Sequence, residues 1–217
     1  MTGLYNVSNC MAAIGASVFG LGLPADEAVK ALADLPGVPG RMEAIRMGQP
    51  FEAIVDFAHT PNALLRAIET ARGRTQGRVI VAFGSAGLRD RQKRRMMPTT
   101  AIQNADLTIL TAEDPRTESL DAILEDMAQA AIAAGGVEGE TFWRVADRGD
   151  AIRKALALAQ PGDLVMVCGK GHEQSMCFIT TEYLWDDRTA MRAALAEYTG
   201  QPGPEMPWLP TSKAPQA

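Results

Sequence analysis

From Phe51 to Cys168 short apolar runs alternate with stretches of helical periodicity. That alternation constrains the fold more than any other feature of the chain. The apolar runs are Ala53–Phe57, Arg78–Phe83, Leu107–Thr111, Phe142–Val145 and Leu164–Cys168. Between them lie helical stretches at Pro61–Arg72, Asp90–Asn104, Ser119–Ala134 and Asp147–Ala159. Strand, helix and strand in regular succession imply a mostly parallel sheet with helices on both faces, a Rossmann-like α/β fold. Phe178–Trp185 suits a short hairpin, and Asp187–Glu197 a closing helix.

The segment before Phe51 has a different character. Asn9 is a plausible cap for a helix running to about Phe19, with Met11, Ile14 and Val18 on one stripe. A second helix starts at Pro24, has Asp26 and Glu27 in its first turn, and places Ala28, Leu32 and Leu35 at helical spacing. From Leu35 to Arg41 four of seven residues are Pro or Gly, the composition of a linker. Two helices cannot bury much core, so they read as the end of another domain. Residues 1–36 are therefore expected to be a helical remnant, 37–50 a linker and domain entry, 51–199 the α/β domain and 200–217 a disordered tail. The tail expectation rests on five prolines from Pro202 onward.

Composition narrows the function. Lys and Arg number 21 against 26 Asp and Glu, a net charge of -5, which argues against a general nucleic-acid or anionic membrane surface. The apolar run Cys10–Leu23 is too short to span a bilayer and lacks a basic flank. Three cysteines without CxxC or Cys/His spacing support neither a disulfide framework nor a zinc site. A cytoplasmic protein without nucleic-acid partners or membrane insertion is expected.

Ligands of such sheets bind outside the carboxyl ends of the strands, so the polar residues there matter most. Gly84-Ser-Ala-Gly-Leu-Arg-Asp90, Glu113-Asp-Pro-Arg116 and Gly169-Lys-Gly-His-Glu173 each follow an expected strand and should line one crevice. Arg89 sits closest to the first turn and suits an anion; the arginines and lysine beyond it read as a solvated face. Glu113, Asp114 and Arg116, with Pro115 fixing the turn, offer both charges that an amino acid requires. The glycines allow close approach to the backbone, and Glu173 suits an ammonium, whereas Lys170 and His172 read as structural. Asp56 and His59 hold a polar ligand or cap the next helix. No Walker A loop and no catalytic triad can be assembled.

Taken together, Tyr5-Asn-Val-Ser-Asn9, Gly40-Arg-Met-Glu43, Asp56-Phe-Ala-His-Thr-Pro61, Gly87-Leu-Arg-Asp90, Glu113-Asp-Pro-Arg116 and Gly169-Lys-Gly-His-Glu173 resemble the Mur ligases of peptidoglycan synthesis, most closely the MurE type. The motifs occur in the family's order over nearly all of residues 3 to 199. The resemblance implies the end of the central ATPase domain followed by the whole C-terminal domain. It also implies an amide-forming ligase using ATP and Mg2+, which adds a diamino acid to UDP-N-acetylmuramoyl-L-alanyl-D-glutamate through an acyl phosphate.

By resemblance Asn6 and Asn9 contact adenine, Arg41 the phosphates, Asp56 the ribose and His59 the same nucleotide. Arg89, Glu113, Asp114, Pro115, Arg116, Gly169 and Glu173 hold the amino acid; no residue is assigned as catalytic or as a metal ligand. The family's UDP-sugar domain, phosphate loop, magnesium ligands and carbamylated lysine do not occur in these residues. The 217 residues alone are thus expected not to complete the reaction, with the remaining domains as partners. Where diaminopimelate enzymes have Asp-Asn-Pro-Arg this chain has Glu-Asp-Pro-Arg. The charge of Asp114 would repel a distal carboxylate and favour an ammonium, which brings lysine or ornithine into play beside diaminopimelate, the family default. Leu88, where the family usually has Asp, removes another polar group. A folylpolyglutamate synthase-like ligase, a non-catalytic binding module and a structural remnant are the alternatives.

Overall fold

The structure is a computed structural model and describes residues 4–35 and 37–212. It divides into two units, 1–38 and 39–217, with the boundary inside the expected linker. The first unit holds α1 (Leu4–Gly15), a π-helical turn (Ala16–Gly20) and α2 (Ala25–Ala33). Asn9 is not a cap but lies inside α1, where its side-chain amide donates to Asn6 Oδ1 one turn earlier at 3.2 Å. Pro24 stands at the N-cap of α2, and Asp26 and Glu27 follow in the first turn, where the helix dipole favours them.

The second unit is the α/β domain. Its strands are β1 (Glu43–Ile45), β2 (Glu52–Asp56), β3 (Val79–Phe83), β4 (Leu107–Leu110), β5 (Phe142–Arg144) and β6 (Leu164–Cys168), in the order β1-β2-β6-β3-β4-β5. All neighbours are parallel except β1 and β2. β3 and β6 are buried along their whole length, which is why both read as unbroken apolar runs rather than alternating ones. Their helices start on side-chain caps: Thr60 for α3 (Pro61–Arg72), Ser119 for α5 (Leu120–Ala133), Asp147 for α6 (Arg148–Leu158) and Asp186 for α7 (Asp187–Thr199). Only α4 (Lys93–Asn104) lacks one among these.

The handedness of the crossovers decides which face each helix covers. From β3 through β5 the chain advances in one direction across the sheet, and α3, α4 and α5 pack side by side. It then reverses, and β6 inserts between β2 and β3. A right-handed return must cross the opposite face, so α6 lies there with α7. Ile152, Ala155, Met191 and Leu195 from these two helices pack against Val55, Ile80, Ile109 and Val167 of the sheet. The reversal also brings the end of β6 between the ends of β2 and β3, which places the site.

Within 37–50, expected as linker and domain entry, Glu43–Ile45 forms the antiparallel edge strand; three residues are too few to show periodicity. The tail expectation needs correction. The residues up to 212 are not a free tail. Leu209 is fully buried in the core, Trp208 packs edge-on to Tyr183 at 5.7 Å, and the hydroxyls of Thr211 and Ser212 donate to Asp147. Proline there fixes an extended path rather than marking disorder. Residues 213–217 lie outside the described ones. Among the described residues no helix is long and apolar enough to cross a membrane.

Candidate functional site

A cavity of about 290 Å³ opens at the carboxyl ends of the strands. It is lined from four strand ends: Phe57 and His59 after β2, Gly84 to Ala86 and Arg89 after β3, Glu113, Asp114 and Arg116 after β4, and Gly169 and Glu173 after β6. Lys93 and Met97 of α4 complete the wall. The three polar segments expected to share a crevice do share one. Pro115 and Asp56 are not among the lining residues, and Asn6 and Asn9 belong to the first unit.

Glu113 is the deepest acid. It is 9 % exposed, and its Oε2 has no hydrogen-bond partner. Burial pushes its carboxyl up to about 7, opposed by the charges of Arg148 and Lys170. The backbone beside it must be glycine: a Cβ on Gly169, whose φ is +116°, would sit 2.4 Å from Glu113 Oε2. Glu173 stands half-exposed at the opening.

Asp114 behaves differently from what its sequence position suggests. Both of its carboxylate oxygens accept from buried Lys170 Nζ at 3.0 Å, and Oδ1 also accepts from the Cys177 N–H at 2.9 Å. Its charge is paired within the protein, which reduces the repulsion expected toward a ligand carboxylate, although Lys170 is shared with Glu173. Lys170, read as structural, is buried and reaches Glu173 as well, at 2.6 Å. The turn is held in place by the hairpin of β7 (Ser175–Phe178) and β8 (Thr181–Leu184), which begins three residues earlier than the sequence suggested. The Arg116 N–H donates to Cys177 O, and the Ile179 N–H donates to Arg116 O. Asp114 and Arg116 both take positive φ, 38° and 54°, so the hairpin holds a strained turn that points its side chains into the cavity.

The cations of the lining are Arg89, Lys93 and Arg116. Arg89 and Lys93 make no ion pair among the described residues, and Arg116 has only a 3.9 Å contact with Asp114. The cluster beyond Arg89 divides in a way the sequence did not show. Arg94 is buried, bonding Glu118 at 2.8 Å and holding its carboxyl near 2, whereas Arg91 and Arg95 are exposed.

Beside the cavity, Phe57 carries a cluster of its own. The Arg41 guanidinium lies 4.5 Å over its ring, and the rings of His59 and His172 lie 4.5 and 4.8 Å away. Asp56 is buried, which raises its carboxyl, while its oxygens accept from the N–H groups of Met42 and Ala58. Both bonds leave lone pairs for a further donor. Sequence reasoning missed Lys93 and Met97 in the wall, and Arg148, fully buried behind it. Lys93 and Met97 were legible as one helix face, four residues apart; Arg148 had no signal, since its partners are distant in sequence.

Residues 40–171 match the family described as Mur ligase, glutamate ligase domain. A UDP-N-acetylmuramyl-tripeptide synthetase of Roseiflexus sp. (strain RS-1) is 46% identical over 91% of the chain and 38% of its own length. A UDP-N-acetylmuramoyl-L-alanyl-D-glutamate--2,6-diaminopimelate ligase of Synechocystis sp. (strain ATCC 27184 / PCC 6803 / Kazusa) is 44% identical over 90% of the chain and 38% of its own. The chain thus spans about two fifths of the curated relatives it matches. A solved ligase of the latter name superposes with a TM-score of 0.69 at 34% identity, over 92% of this chain and 40% of that one. A folylpolyglutamate synthase of Mycobacterium tuberculosis shares the fold alone, with a TM-score of 0.61 at 15% identity over 94% of this chain and 42% of that one.

Proposed function

Because the chain belongs to the Mur ligase family, we propose that it is the amino-acid-binding part of a MurE-type ligase of peptidoglycan precursor synthesis. In this reading the whole enzyme, in the cytoplasm, uses ATP and Mg2+ to activate UDP-N-acetylmuramoyl-L-alanyl-D-glutamate as an acyl phosphate. The cavity presents the amine that attacks it. The observation that carries the reading is the mixed charge lining one cavity, Arg89, Lys93 and Arg116 together with Glu113 and Glu173. A zwitterion suits such a lining.

The same geometry favours meso-diaminopimelate over lysine or ornithine. One α-carboxylate needs one cationic site, whereas three cations line the cavity, and the acid that was expected to repel a second carboxylate is paired with Lys170. Arg116, a planar fork in the lining, suits the distal carboxylate. Arg41 above Phe57 and the unspent lone pairs of Asp56 fit the phosphate and ribose of a nucleotide respectively, with His59 beside them. Asn6 and Asn9 keep their proposed adenine role. Among the described residues no three acid, cysteine or histidine side chains could hold a metal ion, and the proposal gives this chain no metal ligand. With no phosphate loop in its sequence, the chain alone is proposed to bind the amino acid without turning over ATP.

Isothermal titration with meso-diaminopimelate, L-lysine and L-ornithine tests this. The expected result is binding of diaminopimelate, weakened about tenfold or more in Arg116→Ala through loss of a charge-assisted pair. Preference for lysine or ornithine would show that the cations of the lining do not read a second carboxylate. Absence of binding by all three would contradict the assignment of the cavity.

A further inference from the structure

Arg148 and Asp187 are both completely buried and are bonded to each other through two N–H···O contacts, Nε to Oδ1 and Nη2 to Oδ2, each 2.7 Å. Arg148 opens α6 and Asp187 opens α7, on the face of the sheet away from α3, α4 and α5. The pair does more than join two helices. Arg148 Nη1 donates to Ala112 O at 2.9 Å, and Nη2 donates to Cys168 O at 2.8 Å. Asp187 Oδ1 also accepts from Trp185 Nε1 at 2.8 Å, which fixes the carboxylate in turn.

The two carbonyls have a particular place. Ala112 immediately precedes Glu113, and Cys168 immediately precedes Gly169. Their strands, β4 and β6, are not neighbours, because β3 lies between them. No ladder of main-chain bonds therefore ties one end to the other; the guanidinium spans the gap past the end of β3. We infer that the Arg148–Asp187 pair is a positioning device of the site, setting the two strand ends so that the Glu113 carboxylate meets Gly169 at the bottom of the cavity.

Stability alone does not account for the arrangement. A buried ion pair can often be replaced by apolar residues of similar volume with no loss of stability, since both charges were desolvated to make it. A planar fork that aims donors at two separated carbonyls is not replaceable in that way. The pair also sets the electrostatic surroundings of Glu113. Arg148 from α6 and Lys170 after β6 favour its ionised form, whereas Asp187 from α7 and Asp114 in its own turn oppose it. The inference rests on the reading of the cavity as a diamino acid site.

The test uses the full chain and two variants, Arg148→Met/Asp187→Leu and Arg148→Lys. Three quantities are read: the melting temperature, the affinity for meso-diaminopimelate by titration calorimetry, and the pH midpoint of the Glu113 carboxyl by carbon NMR. The paired variant is expected to fold with an undiminished melting temperature. It should bind diaminopimelate about tenfold or more weakly, because the strand ends drift apart. Its Glu113 midpoint should rise, because the main favourable charge is gone. Arg148→Lys keeps that charge but loses the fork, so the midpoint should stay nearer wild type while the affinity still falls.

A folded paired variant with affinity within about twofold of wild type would overturn the inference, whatever its Glu113 midpoint. Should the paired variant not fold, Arg148→Lys with wild-type affinity would overturn it. If the wild type binds no diaminopimelate, the diamino acid reading fails. A crystal structure of the paired variant then decides for the pair itself: Glu113 and Gly169 in their wild-type positions would overturn the inference.

Discussion

Glu113 shows how burial and function meet in one side chain. Its carboxyl is raised from an ordinary 4.5 to about 7 by burial. The native protein therefore holds this proton more tightly than the unfolded chain does. Stability attributable to the group is present below about pH 4.5 and is lost as pH rises toward 7. Glu113→Gln cannot ionise and should lose this slope. In urea titrations its stability relative to wild type should improve by about 3 kcal/mol between pH 4.5 and pH 8. Parallel curves for the two proteins would show that Glu113 ionises normally. The acid itself was legible in the sequence because it follows a strand. Its neighbour Asp114 was legible only as a charge, because the lysine that pairs with it lies 56 residues away. No local pattern encodes such a pairing.

The elements were legible from periodicity rather than from caps: Asp56 and His59 were offered as caps of α3, whose cap is Thr60. Thr60 before Pro61, Ser119 and Asp147 are side chains that satisfy free N–H groups, and each marks a helix within a residue of where it begins. The failures have equally local causes. Asn9 has the chemistry of a cap but lies mid-helix, and β1 is too short to carry a pattern. The segment before residue 213 has the prolines of a tail but also Leu209, which is fully buried against α6 and α7. That segment closes on the cap of α6, where Asp147 accepts from Asp150 N–H, Thr211 and Ser212. Leu209→Ala should therefore cost about 2–5 kcal/mol, as for other buried leucines. A melting temperature unchanged from wild type would mean that the segment does not pack in solution.

At the scale of the molecule, one topological event creates the site. The return of β6 between β2 and β3 puts four strand ends side by side, which the alternation of strands and helices foretold as a class but not as an order. Strand order depends on pairings far apart in sequence, which local patterns do not encode. The first unit contributes a different surface. Val7, Met11, Phe19 and Leu21 are all more than half exposed, an apolar area unusual for a free surface.

The central claim is that the three motif segments form one diamino acid site. Amide shift mapping of the 15N-labelled chain with meso-diaminopimelate addresses it most directly. The account predicts that the saturable shifts cluster at Gly84–Arg89, Glu113–Arg116 and Gly169–Glu173, with the sheet edge at β1 silent. Saturable shifts confined to other segments, or none at all, would contradict it.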